Sequence, residues 1–358
     1  MRKVAGGDRC CKLWHMSSFR IAVDAMGGDF APAAAIEGAA AAAREYQIPV
    51  TLVGPEAIVR AELDRLGLHP LGLEIVHAPD VIAMHEHVTA SVRHQRNSSI
   101  AVGMRLVKEC EAAAFVSAGN SAAVMTMATL SLGRLPGVER PALGTVFPME
   151  QGRFLLLDAG ANADSRPEFL VQWAQLGKIY AERVLRIANP RIGLLNIGEE
   201  PGKGSDFARD VFDRLSGLPE LNFVGNIEGK DLTLGHADVV VTDGFTGNVT
   251  IKTAEGTAEF ILKELRGALT SRLHYKLAAL VLRPALMKLR SRIDYAEYGG
   301  APLLGVNGIV LMSHGRSNAR AISVAVRVAS ETAKAGTVES TAAALQSSAR
   351  AAGSGDVS

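Results

Sequence analysis

The sequence predicts an α/β fold, a mainly parallel sheet covered by helices, and three observations point to it. Short β-branched runs alternate with longer Ala-rich segments of helical period. The turns that follow the predicted strands are rich in glycine and lead into helices. No stretch rich in Pro, Gly and Ser separates residues 153–158 from 308–312, so residues 20–337 read as one three-layer α/β/α body rather than two independent domains.

The elements follow in order. Residues 1–19 carry charge but lack the apolar run of ~7–15 residues that a signal peptide requires, so they read as a flexible leader with Met16 as a second candidate start. The run IAVD makes strand 20–24, and Asp29 caps the Ala-rich helix 31–45. Strand 49–53, helix 55–66 and strand 72–77 come next, then helix 98–111, capped near Ser98. The loop before it holds His85 and His87 without a third metal ligand, and Arg93 and Arg96, which suit an anion. Strand 114–117, helix 120–131, strands 143–148 and 153–158, helix 166–187, strand 191–197, helix 205–215 and strands 221–224 and 238–242 continue the alternation. Asp206, Asp210 and Asp213 read as a solvated stripe rather than a metal site, with Asp206 favouring the helix N-terminus. Helices 247–269 and 271–290 then follow one another with no strand between. Residues 257–292 are expected to project as an amphipathic helical hairpin, with Ile261, Leu265, Ala268 and Leu269 on one face and a kink or stop at Pro284. Strand 308–312 and helix 316–335 close the body, and 338–358 read as a frayed tail.

Apolar residues make up 48% of the 358 and charged residues 21%, which suits a soluble globular protein with a large core. A net charge of +1 gives no global attraction to nucleic acid. Three cysteines without CxxC spacing suggest neither a disulfide framework nor zinc, and a reducing compartment fits them. No stretch approaches the ~18 apolar residues of a membrane span, which leaves only peripheral membrane contact.

In doubly wound sheets ligands bind beyond the carboxyl ends of the strands. Those positions here hold Asp24 with Gly27 and Gly28; Ser117, Gly119, Asn120 and Ser121; Asp158, Gly160 and Asn162; Asn196, Gly198, Gly202, Lys203 and Gly204; Asp243, Gly244, Gly247 and Asn248; and Ser313, His314, Gly315 and Arg316. One such turn is most simply a tight turn with an N-cap. Six on one predicted edge indicate a polar cleft that accepts an anion on backbone N–H groups. GEEPGKGSD is not a P-loop: three residues separate Gly198 from Gly202 where four are required, and Gly204 stands where Ser or Thr would bind Mg²⁺. GGAPLLGVNG follows no clear strand, which speaks against a nicotinamide cofactor, and no G-x-S-x-G elbow announces a covalent nucleophile.

Eight segments carry a resemblance: IAVDAMGGDFAP, SAGNSAA, GANAD, NIGEEPGKGSD, GNIEGKDL, ADVVVTDGFTGNV, YGGAPLLGVNG and SHGRSNARAI. In order and with compatible spacing over about residues 19 to 336, they resemble the bacterial phosphate acyltransferases of phospholipid synthesis. The resemblance implies transfer of a long-chain fatty acyl group from acyl carrier protein to inorganic phosphate, giving an acyl phosphate for a downstream glycerol-3-phosphate acyltransferase. It implies a fold related to phosphotransacetylases and isopropylmalate dehydrogenases. It also implies a cytoplasmic homodimer whose projecting helices meet at the interface and touch the inner face of the membrane. The substrates would be orthophosphate and phosphopantetheine-linked acyl carrier protein, with no cofactor, no metal and no nucleic acid. The leader and the stretch His94-Gln95-Arg96, usually lysine-rich, depart from the pattern.

Orthophosphate is an anion at neutral pH and needs positioning more than deprotonation. Lys203 and the glycine turns are expected to hold it, Asn120 or Asn248 or backbone N–H groups to stabilise the oxyanion, and Asp243 or Asp24 to handle a proton or orient the lysine. Gly27, Gly28, Ser117, Gly119, Ser121, Asp158, Asn162, Asn196, Gly202, Gly204, Gly244 and His314 complete the expected substrate contacts. Between Lys263 and Arg292 stand eight bases (Lys263, Arg266, Arg272, Lys276, Arg283, Lys288, Arg290, Arg292) against Glu264 alone. With Lys276, Leu280, Val281, Arg283 and Leu286 as contacts, that surface suits an acidic carrier protein or an anionic bilayer. A short-chain phosphotransacetylase using acyl coenzyme A, a metal- and nicotinamide-dependent decarboxylating dehydrogenase and a non-catalytic anion sensor are the alternatives.

Overall fold

The computed structural model describes residues 19–68, 72–86, 95–293 and 299–353. The expectations for the leader, His87 and Arg93 lie outside the described residues. Residue contacts gather the chain into two compact units, although no linker composition marks the boundary after Pro141. The first unit takes the residues up to Pro141, Glu182–Arg186 and those from Gly299 on; the second takes Ala142–Ala181 and Ile187–Tyr298.

The first unit contains β1 (Ile21–Asp24), α1 (Ala33–Tyr46), β2 (Val50–Gly54), α2 (Glu56–Arg65), β3 (Leu73–His77), α3 (Ser99–Lys108), β4 (Ala114–Ser117) and α4 (Ser121–Ser131). After the second unit the chain returns as β10 (Ala301–Leu304), β11 (Val310–Met312), α9 (Ala319–Lys334) and α10 (Thr337–Gly353). Its strands lie in the order β3-β2-β1-β4-β11-β10, all parallel except the β10–β11 pair. From β1 the chain first moves outward to β2 and β3, then returns to the other side of β1 as β4. That reversal makes the carboxyl ends of β1 and β4 a topological switch point.

Strands buried on both faces explain the unbroken apolar runs: Ile21, Val23, Leu52, Val116 and Leu311 share one core with Ile36 of α1 and Ile322 and Val324 of α9. The alanines of α1 let it approach α9 closely, and at Gly38 a Cβ would lie 2.6 Å from the Ala319 carbonyl oxygen. The helix begins at Ala33 behind Pro32 and has no side-chain cap, so Asp29 is not the expected cap. Ser98 does cap α3, its hydroxyl accepting from Ala101 N at 3.2 Å.

The second unit holds β5 (Ala142–Pro148), β6 (Arg153–Leu157), α5 (Pro167–Tyr180), β7 (Arg191–Asn196), α6 (Asp206–Ser216), β8 (Asn222–Glu228), β9 (Val239–Val241), α7 (Gly244–Thr270) and α8 (Leu273–Ile293). The order is β5-β6-β9-β7-β8, with only β5 antiparallel to its neighbour. The chain runs from β7 out to β8 and returns to β9 on the other side of β7, so a second switch point falls at the ends of β7 and β9. Phe154, Leu156, Ile227, Val240 and Ile251 form the core beside this sheet. In α6, Asp206 pairs with Arg209 and Asp210 with Arg214, which makes that stripe a solvated face.

Strand β10 was not anticipated; Gly299, Gly300 and Pro302 conceal a short run that is held by its antiparallel partner β11. Residues expected to fray form α10, in which Thr337, Thr341 and Leu345 are buried. Cys110 is disulfide-bonded, although the cysteine spacing suggests no disulfide framework. Helix α8 runs through Pro284, so of the expected kink or stop the stop does not occur. Helices α7 and α8 touch one another; of the expected face Leu269 is partly covered, whereas Ile261 is 57% exposed, Leu265 36% and Ala268 is open. From Lys252 to Leu289 the partly covered positions are Glu255, Ala258, Leu262, Leu269, Ala279 and Leu286, at the three-, four- and seven-residue spacing of a helix–helix seam. Leu286 thus belongs to that seam, whereas Leu280 (66%) and Val281 (80%) are open, as are Lys276 and Arg283.

Candidate active site

At the first switch point the strand-end register aligns Val23 with Val116 and Met312 with Ser117, which brings three turns to one edge. Asp24, the last residue of β1, does not face outward. It is 2% exposed, and its Oδ2 accepts from the Ser117 hydroxyl at 2.7 Å while Oδ1 accepts from Met26 N at 3.0 Å. Ser117 Oγ in turn accepts from Gly119 N at 3.0 Å. A Cβ on Gly27 would sit 2.6 Å from Gly119 N and 2.7 Å from Asp24 Oδ2, so glycine is what lets the two turns meet. Asp29 N donates to the Gly315 carbonyl at 2.8 Å and Ser313 N to the Ser117 carbonyl at 2.8 Å, tying in the turn after β11.

Asn120 caps α4, accepting from Ala123 N at 3.1 Å. Its Nδ2 donates to the carbonyls of Met84 (3.1 Å) and Glu86 (2.9 Å), so the amide expected at an oxyanion is committed to the 83–86 loop. The N–H groups of Gly28, Ser121 and Ala122 make no hydrogen bond among the described residues, and the last two lie in the first turn of α4, where helical geometry offers them no partner. Ser121 is exposed on the same turn, and His314 lies exposed in the β11 turn with Nδ1 accepting from Arg316 N at 3.1 Å.

Burial lifts the Asp24 carboxyl above the usual carboxylate range; hydrogen bonds from Ser117, Ser99 and the backbone of Met26 and Gly27 pull the other way and lose. The folded protein therefore holds a proton here more readily than the unfolded chain. The stability this contributes is complete below the unfolded value of ~3.9 and is lost as pH rises through the raised value. Asp24→Asn keeps an acceptor for Met26 N and cannot ionise, so its stability relative to wild type should climb with pH across that window. Urea unfolding at several pH values measures this, and a flat difference would show that Asp24 does not titrate with folding.

In the second unit Asp158 is fully buried at the end of β6. Its Oδ1 accepts from Leu143 N (2.8 Å) and Ala161 N (3.1 Å), and its Oδ2 from Asn162 N (2.7 Å) and Asn162 Nδ2 (2.9 Å). Burial raises its pKa against those four bonds. The 158–162 turn also receives the start of α7: Gly244 N donates to the Asn162 carbonyl at 3.0 Å, and a Cβ on Gly247 would lie 1.9 Å from the Asp158 carbonyl oxygen. Asp243 caps α7, its Oδ1 accepting from Thr246 N at 2.9 Å. Asn248 is half-buried beside Gly160, and its amide makes no hydrogen bond among the described residues.

The loop after β7 is pinned from within. Asn196 Nδ2 donates to the Lys203 carbonyl and to Asn226 Oδ1, both at 3.1 Å, and Asn226 Nδ2 donates to the Glu200 carbonyl at 2.9 Å. Gly204, at φ +92°, leaves room for Asn196; a Cβ there would be 2.5 Å from Asn196 Oδ1. Lys203 itself points outward, its side chain 52% exposed and its Nζ 3.9 Å from Glu200 Oε2, while Gly202 is exposed beside it. Asn226 was not singled out from the sequence, although the segment GNIEGKDL contains it. Among the described residues no group of three or more His, Cys, Asp or Glu gathers to hold a metal ion.

The family model described as "Fatty acid synthesis protein" matches residues 19–340. A "Phosphate acyltransferase" of Desulfitobacterium hafniense is 48% identical over 321 residues, covering 89% of this chain and 96% of that protein. One of Dictyoglomus turgidum is 46% identical over 316 residues, covering 88% and 94%. Among solved structures, a phosphotransacetylase from Streptococcus pyogenes superposes with a TM-score of 0.60 at 17% identity over 89% of this chain and 94% of that one. A branched-chain phosphotransacylase from Enterococcus faecalis gives 0.56 at 16% over 88% and 99%, and both likenesses speak to the fold.

Proposed function

The chain belongs to the phosphate acyltransferase family, and from that premise we propose that it moves a long-chain fatty acyl group from the thioester of acyl carrier protein to orthophosphate. The product is an acyl phosphate, which a downstream enzyme of phospholipid synthesis would use to acylate glycerol 3-phosphate. The observation that carries the reading is the glycine-walled turns at the first switch point, where the N–H groups of Gly28, Ser121 and Ala122 stand without partners among the described residues.

The chemistry balances without a covalent enzyme intermediate. A phosphate oxygen attacks the thioester carbonyl carbon, the C–O bond forms and the carbonyl oxygen becomes an oxyanion. Collapse breaks the C–S bond, and the thiol leaves with the proton of monohydrogen phosphate. Backbone N–H groups, rather than the committed amide of Asn120, are assigned the oxyanion. Lys203 is assigned the phosphate as a point charge, and Asp243 its proton through the carboxylate oxygen that does not cap α7.

Incubation with hexadecanoyl-acyl carrier protein and orthophosphate, with hydroxylamine to trap the product, tests the reading. Product from acetyl coenzyme A but not from the carrier thioester would place the enzyme with short-chain phosphotransacetylases instead. In the same assay Lys203→Ala is expected to raise the KM for phosphate and lower kcat/KM about 100-fold, and Asp243→Asn, which keeps the cap, to lower kcat about tenfold. Near-normal turnover in both folded variants would remove these roles.

The open apolar residues of α7 and α8, among them Phe260, Leu273, Leu277, Leu280 and Val281, lie beside the bases of that segment. This supports docking to the anionic inner face of the cell membrane or to the acidic carrier, with a second copy of the chain sharing these helices. Among the described residues no helix is long and apolar enough to cross a membrane. In flotation, the Leu280→Glu/Val281→Glu double variant is expected to lose binding to anionic vesicles, because it removes two apolar groups worth about 1.5–3 kcal/mol each when buried and sets two carboxylates against anionic lipid. Flotation indifferent to both the variant and anionic lipid would count against membrane docking.

A further inference from the structure

Helix α4 contains no charged residue, and its apolar groups run all the way round: SAAVMTMATLS. Such a helix is normally enclosed on every side. One side is: Ala123, Val124, Met127 and Ala128 are buried. The other side, Ala122, Met125, Thr126, Thr129 and Leu130, recurs at one-, three- and four-residue spacing and stays partly or fully open, with Leu130 53% exposed. Thr129 donates its hydroxyl to the Met125 carbonyl at 2.9 Å, which satisfies its polar atom within the helix.

This open face is continuous with the first switch point. It starts one turn from Asn120, the same residue whose amide holds Met84 and Glu86 against the start of α4. Met84 is 39% exposed, and its Cε lies 2.8 Å from where a Cβ on Gly315 would be. A methionine therefore stands at the mouth and another, Met125, on the track beyond it. Both are side chains that adapt to ligands of varying length and shape.

We infer that the open face of α4, entered past Met84, binds the hydrocarbon chain of the acyl substrate. The inference rests on the phosphate acyltransferase reading, in which the acyl chain is the apolar part of the substrate and must extend away from a carbonyl held at the Gly119–Asn120 turn. At 1.5 Å per residue, Ser121 to Leu130 spans ~13 Å. With C–C bonds of ~1.5 Å, an extended chain of about ten carbons covers that distance. Leu130 at the far end thus meets long chains and not short ones.

Hydroxamate formation from hexadecanoyl- and hexanoyl-acyl carrier protein, each with orthophosphate, compares wild type with Met125→Glu and Leu130→Glu. Because Leu130 is exposed, its variant should fold, and a thermal melt checks both. The expected result in Leu130→Glu is a fall in kcat/KM about tenfold larger for the hexadecanoyl than for the hexanoyl substrate, whereas Met125→Glu, about 6 Å along the track and within reach of six carbons, should lower both. Equal losses for the two chain lengths in Leu130→Glu, or no loss in either variant, would overturn the inference while leaving the activity intact. So would a dimer-to-monomer shift in Leu130→Glu with an unchanged length preference, which would make the face a contact between copies. A wild-type enzyme that forms no hydroxamate from either thioester would overturn the underlying reading and this inference together.

Discussion

Asp158→Ala is expected to cost about 4 kcal/mol of stability, because it leaves four donors converging on a fully buried position with nothing to accept them. Leu143 N, Ala161 N and both nitrogens of Asn162 would have to find other partners where water does not reach. Asp158→Asn separates shape from charge. Its oxygen can serve Leu143 and Ala161, but its amide nitrogen then faces the two Asn162 donors, so a cost of about 2 kcal/mol is expected. Urea unfolding of the two variants measures both values. An alanine variant as stable as wild type would mean that the turn does not depend on this carboxylate.

Gly247→Ala should be the most damaging single methyl group near the second switch point. The added carbon would lie 1.9 Å from the Asp158 carbonyl oxygen, a backbone atom that cannot swing aside. Either α7 shifts away from the 158–162 turn or the turn itself moves. The expected result is a loss of about 3 kcal/mol and, because Asp243 and Asn248 start the same helix, a fall in kcat of about 100-fold. Gly256→Ala, nine residues along the same helix with nothing within 4 Å of the added carbon, is the control. It should be neutral or stabilise by up to ~1 kcal/mol. Equal behaviour of the two variants in melting and turnover would contradict the close-packed account of Gly247.

The sheet was legible because its strands are buried on both faces and so appear as unbroken apolar runs between helical periods. β10 was not, since Gly299, Gly300 and Pro302 read locally as loop and only pairing with β11 makes a strand of them. α10 was missed for a similar reason: its composition is small and polar, and its order comes from burying Thr337, Thr341 and Leu345. The candidate site was legible as a set of glycine-rich strand ends and illegible in its acids. A carboxylate at a strand end can be seen in the sequence, but not that Ser117, 93 residues later, will donate to Asp24. Nor does the sequence say that Pro32 starts α1 and leaves Asp29 to the Gly315 carbonyl. The same holds for Asn120, whose donors are taken by a loop more than thirty residues earlier.

The first unit is assembled mainly from residues up to Pro141 and from Gly299 on, with the second, interrupted only by Glu182–Arg186, inserted between them. During synthesis the ribosome therefore delivers β1, β4 and α1 long before β11 and α9 exist to cover them. The edge of β4 that β11 will occupy stays bare while the residues between Ser117 and Val310 emerge, and the side of α1 that Gly38 opens to α9 stays bare for longer still, from Tyr46 to Ala319. The turn containing Asp24, Gly27 and Gly28 likewise lacks its Gly315 partner until that residue has emerged, so the nascent chain acquires this part of its chemistry long after the turn itself is made.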